Sequence, residues 1–352
     1  MIDEQILLGE SVRKILATDA GSAISLWPSP AWLALTEAGM TGVGTAEALG
    51  GSGGTFSDAA TLVFEAGRLG AFVPLAETIM LGSWLDALAT WPITGGAETV
   101  AAELAPSVLL RRSGSEVIVE GTLRHVPWGR VATRVVTVIE ADGVSFLVAL
   151  TPESFSVEEN ENLAGEPRDT LRVRAAHLRE DEWLSSPVSL VDVRRRGALA
   201  RSIAMAGAMT SVLEMTASHA RDREQFGRPI ARFQAVQQLL AQLAGEVFAA
   251  VTAARVAADA VDSRDGSVEA IAASVRIARG ATKSARIAHQ IHGAIGVTAE
   301  YPLHKYTNRL WSWRDEFGGA TEWSRALSQH VRQHGEWDRL WPLLTNNFEE
   351  QS

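Results

Sequence analysis

Two segments carry residue types that could grip a charged, partly flat ligand. The first is Arg221–Gln238, RDREQFGRPIARFQAVQQ, in which Arg223-x-Gln225-Phe226-Gly227 is followed by Phe233–Gln234. An arginine at a helix end offers planar donors suited to a pyrophosphate. Phe226 adds an apolar face, and Gly227 lets the chain turn sharply. Taken alone, the segment also reads as a helix C-cap with a surface arginine and a core phenylalanine. The second segment is Gln290-Ile291-His292-Gly293-Ala294-Ile295-Gly296, followed by Glu300-Tyr301-Pro302. Its glycines would let a ligand come close to the backbone.

Other chemistries find little footing. His289 and His292 sit one helical turn apart, but no H-E-x-x-H is present, and no metal site is expected. No G-x-S-x-G elbow supports a serine hydrolase. The glycine-dense stretch Met40–Gly54 lacks both G-x-G-x-x-G and G-x-x-x-x-G-K-[ST], so it reads as a tight connection between helices. Cysteine is absent, which removes disulfides, iron–sulfur clusters and thiolate chemistry. The net charge of −10 argues against a general nucleic-acid surface. No apolar run reads as bilayer-spanning and no N-terminal stretch as a signal peptide, so the expectation is a cytoplasmic protein with no membrane partner. Tryptophan is frequent at 11 residues against 2 tyrosines, a skew with no physical account in the sequence.

The elements that must position these residues follow from periodicity. At 352 residues, 46% hydrophobic and 21% charged, the chain can hold two or three domains. Helical spacing predicts helices over Ile2–Ala17, Ala31–Ala38, Ala59–Leu69 with Ser57 as N-cap, and Pro74–Ala89. Alternation then takes over at Val117–Val119, Val131–Ile139, Val144–Leu150 and Thr170–Val173, with turns at Ser113–Gly114 and Ala141–Gly143. The acidic run Glu158–Glu161 reads as a solvated loop. Helical spacing returns over Leu190–Asp222, Ile230–Asp262, Ser267–His292, Pro302–Arg314 and Glu322–His334. The fold expected is mostly α with a central β domain. It divides into an N-terminal helical domain (1–95), a small β-barrel-like middle domain (96–187) and a C-terminal four-helix bundle (188–352).

This order, with R-x-Q-F-G at Arg223–Gly227 and Q-x-x-G-x-x-G at Gln290–Gly296, resembles the acyl-CoA dehydrogenase family. In that family both segments reach across a dimer interface to the adenosine and pyrophosphate of the neighbour's FAD. By resemblance, Arg223, Gln225, Phe226, Gln234, Gln290, Ile291 and Gly293 are the cofactor-binding residues here. One family glycine is replaced by Ala294.

The resemblance also implies an α,β-desaturase of acyl-CoA thioesters, which needs a carboxylate base. At the commoner family position for that base this chain has Phe317-Gly318-Gly319; at the alternative position it has Gly197, flanked by Arg194–Arg196. Glu316 adjoins the first position, but its side chain leaves the backbone in another direction. The family's Trp-x-Thr contact to the flavin ring aligns with His125-Val126-Pro127, and proline has no N–H to offer. The neighbouring Trp128 reads as a core or interface residue. The implied role is a partner subunit in a hetero-oligomer with a second acyl-CoA dehydrogenase-like chain. The alternatives are a self-sufficient homotetramer with Glu316 or Asp315 as a shifted base, and a non-enzymatic scaffold.

Overall fold

The computed structural model describes residues 2–17, 27–104, 107–113 and 116–334. The chain opens with α1 (Ile2–Leu16), α2 (Pro30–Glu37), α3 (Phe56–Leu69) and α4 (Ser83–Ala89). Between α2 and α3 the glycine stretch forms short 3₁₀ turns, with Gly44, Gly50, Gly53 and Gly54 all at positive φ. The cap of α3 is Thr55, not Ser57: Thr55 and Asp58 form a reciprocal capping box. The Ser57 hydroxyl instead donates to Asp259, and the Phe56 and Ser57 N–H groups donate to Asp262. The helix expected over Pro74–Ala89 contains a π turn, Glu77–Gly82, that precedes α4.

The middle region holds β1 (Glu98–Val100), β2 (Glu103–Leu104), β3 (Leu109–Ser113), β4 (Glu116–Pro127), β5 (Arg134–Ala141), β6 (Val144–Leu150), β7 (Phe155–Glu158), β8 (Arg168–Leu178) and β9 (Trp183–Ser185). One sheet runs β1-β5-β6-β9; the other runs β2-β4-β8-β7, with β3 also paired to β4. Their facing sides bury Val117, Val119, Leu123, Val135, Ile139, Val148, Leu171 and Val173 in a core of their own. On β5, Val136 and Val138 point the other way, into the helical core. A strand buried on both faces reads as a continuous run of β-branched residues, as this one does. The Gly114 half of the expected Ser113–Gly114 turn lies outside the described residues, as do residues 335–352 of the C-terminal region.

The helical part closes with α5 (Leu190–Asp222), a hairpin of β10 (Glu224–Gln225) and β11 (Arg228–Pro229), α6 (Gln234–Ser263), α7 (Ser267–His292), α8 (Leu303–Trp313) and α9 (Ala320–His334). Helix α6 begins at Gln234, because Ile230–Arg232 is a 3₁₀ turn. Helix α5 is buried throughout Gly197–Met209, where its side chains are apolar or small apart from Arg201. It crosses α3 at close range: a Cβ on Gly67 would strike the Ala204 carbonyl, and one on Gly207 the Phe64 carbonyl. Contrary to the expectation from sequence, α6 is long and apolar enough to cross a membrane by length and composition, with a mean hydropathy of 1.4 over its most apolar window. Its alanines raise that value without making a continuous run of large apolar side chains, and 22% of that window is buried within the chain.

Candidate functional site

Helices α5 and α7 finish at the same end of the bundle, and their last turns touch. His219 near the end of α5 stacks on His292 at the end of α7, with centroids 4.4 Å apart, and Tyr301 lies against both rings. Burial lowers the pKa of both histidines. Both predicted gripping segments emerge here.

The first becomes a hairpin. Gln225 pairs with Arg228, and the two residues between them, Phe226 and Gly227, have φ of 54° and 77°. A two-residue loop with both residues at positive φ suits the twist of a hairpin, but it is costly for an aromatic side chain. The Phe226 ring is 92% exposed, leaning edge-on to Phe233 at 6.1 Å. Arg228 covers Phe233 at 4.3 Å. Arg223 caps α5 through its N–H to the His219 carbonyl, and its guanidinium makes no ion pair or hydrogen bond among the described residues. Arg223, Gln225, Gln234 and Gln290 are all exposed.

In the second segment, α7 ends at Gly293, with φ 62° and ψ −142°. Ile291 is only 8% exposed and belongs to the helical core, so it can present backbone alone to a ligand. His289 stacks on Trp311 and His292 on His219, so the two histidines do not converge. Among the described residues no group of His, Cys, Asp or Glu could hold a metal ion.

The second region lies between the middle sheets and the turn after α8. A cavity of about 380 Å³ is lined by Glu103, His125, Pro127, Trp311, Glu316 and Phe317. Phe317 and Gly197, far apart in sequence, meet beside it: a Cβ built on Gly197 would lie 2.4 Å from the Phe317 ring, a clash. Neither position carries a carboxylate. Glu316 is turned away into a buried chain of charges. Arg168 bonds it at 2.8 and 3.0 Å, Arg201 at 2.6 Å and the Asn162 amide at 3.1 Å. Arg201 also bonds Glu77 of the π turn, while Glu166 joins Arg168, Arg309 and the Trp313 indole. Burial works to raise the Glu316 carboxyl, but Arg168 and Arg201 outweigh it and hold the group at about 2. Trp128 is 3% exposed and packs on Trp27 and Phe72, where the middle region meets the N-terminal helices.

The two regions differ in how they suit FAD. The first offers uncommitted donors, a bare aromatic face and a glycine turn, which fit a dinucleotide tail. The second lines its cavity with Glu103, Glu316 and Pro127, which give a flavin edge no donors, beside His125 and Ser312, which could. Arg168 directs four of its five donors to Glu166, Glu316 and the Pro167 carbonyl, which leaves it little to offer a ring edge.

Sequence reading missed the charge chain and Arg228. The network draws on positions from Glu77 to Glu316, and no local pattern marks it.

The chain runs helices, then paired sheets, then a helical bundle, and comparison with known proteins says which family has this order. The acyl-CoA dehydrogenase C-terminal domain matches residues 195–329. Acyl-CoA dehydrogenase IpdE2 of Mycobacterium tuberculosis is 27% identical over 308 residues, 85% of this chain and 84% of that protein. Acyl-CoA dehydrogenase FadE34 of the same organism is 30% identical over 315 residues, of which this chain spans 42% of the length. The ChsE4-ChsE5 complex from Mycobacterium tuberculosis superposes with a TM-score of 0.86 at 22% identity, over 94% of this chain and 98% of that one. The Tcur3481-Tcur3483 steroid ACAD gives 0.82 at 25% identity, over 94% and 98%. The chain belongs to the acyl-CoA dehydrogenase family, whose cofactor is FAD.

Proposed function

We propose that this chain is the partner subunit of a heteromeric FAD-dependent acyl-CoA dehydrogenase acting in the cytoplasm. A second chain of the same family supplies the base, the flavin-ring pocket and the contacts to the acyl-CoA. This chain supplies Arg223, Gln225, Phe226, Gln234, Gln290 and the backbone at Ile291 and Gly293 to the adenosine and pyrophosphate of that FAD. The FAD, when bound, is the acceptor of the hydride. The chain's own part is to hold and orient: Arg223 neutralises phosphate charge, Phe226 covers an apolar face, and the glutamines bond polar edges.

One observation carries this reading. The platform exposes Phe226 at 92% on a positive-φ turn, which supports a partner covering it, while positions 197 and 317 meet with no carboxylate at either. Glu316 is a poor base, because two arginines hold its carboxyl at about 2. The likeness to ChsE4-ChsE5, a complex of two chains, and to a steroid ACAD agrees with a hetero-oligomer in lipid or steroid degradation.

The test is expression of this chain alone and together with a second family member. Alone it is expected to be colourless and inactive towards acyl-CoA; together the pair is yellow and active. A lone chain that carries FAD and desaturates an acyl-CoA would overturn the reading.

A further inference from the structure

Gly197 lies one turn before Arg201 on α5, within the buried stretch of that helix. Phe317 faces it from the turn after α8, at φ 56° and 5% exposure. The ring edge stands 2.4 Å from where a side chain at position 197 would begin, too close for one to be added without movement. Arg201 sits 5.5 Å over the same ring. That arginine is fixed from both sides, by Glu77 at 2.5 Å and by Glu316, the residue next to Phe317, at 2.6 Å. The ring is therefore held in place by packing on one side and by anchored charges on the other.

We propose that Phe317 and Gly197 are a plug and its socket, closing this chain's own chamber to an acyl thioester. The inference rests on the subunit reading above for why a chamber should be there. It adds that the chamber is shut by a matched pair of residues, so glycine at 197 is required by phenylalanine at 317. The charge chain from Glu77 to Glu316 positions the plug.

A cycle of Gly197→Ala and Phe317→Ala in the full-length chain, read by thermal midpoint, tests the match. With Phe317 present, Gly197→Ala forces the ring aside and lowers the midpoint by a few degrees. With Phe317→Ala the clash is gone, and the same change leaves the midpoint unmoved or raises it, since alanine favours helix over glycine. An equal shift in both backgrounds overturns the proposal. Phe317→Leu, which keeps an apolar but smaller side chain, serves as the background if Phe317→Ala does not fold.

Closure has its own readout. Crystals pressurised with xenon should show the gas beside Gly197 in the Phe317→Ala or Phe317→Leu chain and none there in the unaltered chain. Xenon at that place in the unaltered chain, or none in the variant, overturns the proposal. Neither measurement involves flavin or a second subunit. Their failure would leave the subunit assignment standing, whereas a yellow, active lone chain would remove that assignment and leave the socket in place.

Discussion

The two ends of the C-terminal bundle are built on opposite plans. At the platform, Arg223, Phe226 and Gln290 stand in solvent, with Phe226 held in a backbone conformation that costs energy. At the chamber, Phe317, Glu166, Arg168 and Arg201 are buried, and their polar groups are satisfied by one another. Exposed donors on a strained hairpin are arranged for something outside the chain. Buried charges that neutralise one another are arranged for the chain itself. Beside the cavity of about 380 Å³ these charges join the N-terminal helices, the sheets and the bundle.

That contrast can be broken most forcefully at Glu316. Glu316→Gln leaves Arg168 and Arg201 short of a counter-charge, and removing one partner of a buried pair costs about 3–5 kcal/mol. Urea denaturation of the lone chain should register that loss. The specific activity of whatever complex remains folded should not change if, as proposed, the base lies on the partner chain. A large fall in turnover with normal stability would make Glu316 a base after all.

The same residue sets a pH dependence. Its carboxyl is held at about 2 in the folded chain, against an ordinary value of 4.5. A depressed acid favours the folded state above the unfolded value and loses that advantage as pH falls through the folded one. The unaltered chain should therefore lose thermal stability between roughly pH 4.5 and 2 more steeply than Glu316→Gln does. Parallel curves would mean that the two arginines do not hold the carboxylate.

At the platform the expected effects run the other way. Arg223→Ala removes charge-assisted bonds worth about 1.5–3 kcal/mol, so FAD retention by the complex should weaken roughly 10- to 100-fold. The urea midpoint of this chain should stay put, because the Arg223 side chain makes no hydrogen bond or ion pair among the described residues. Gln290→Ala, removing one neutral hydrogen-bonding group, should weaken retention by only about 1 kcal/mol, or roughly fivefold. Equilibrium dialysis at fixed ionic strength measures both. If both changes instead lowered stability and spared FAD, the platform would be structural.

How much of this was legible in the sequence depended on how local the signal was. Helices α5 and α7 have the ends that periodicity predicts, Leu190–Asp222 and Ser267–His292, because each is bounded by a clear cap or break. Strands β1, β2, β3, β7 and β9 were missed: each has two to five residues, too few for an alternation to stand out, and Glu158 of β7 opens the acidic run read as a loop. Thr55 displaced Ser57 as cap because the reciprocal bond with Asp58 outcompetes a lone hydroxyl. The residues proposed to contact FAD stand out as a motif, since they cluster within two short segments. The charge chain does not, since Glu77, Arg201 and Glu316 become neighbours only through tertiary packing.

The most direct measurement of the central claim is the number of FAD molecules per pair of chains in the purified complex, read from flavin absorbance against total protein. The account predicts one for every two chains, because only the partner's ring pocket can be filled. Two FAD for every two chains would mean that this chain's chamber holds a flavin ring despite Pro127, Glu316 and Phe317, and would contradict the account.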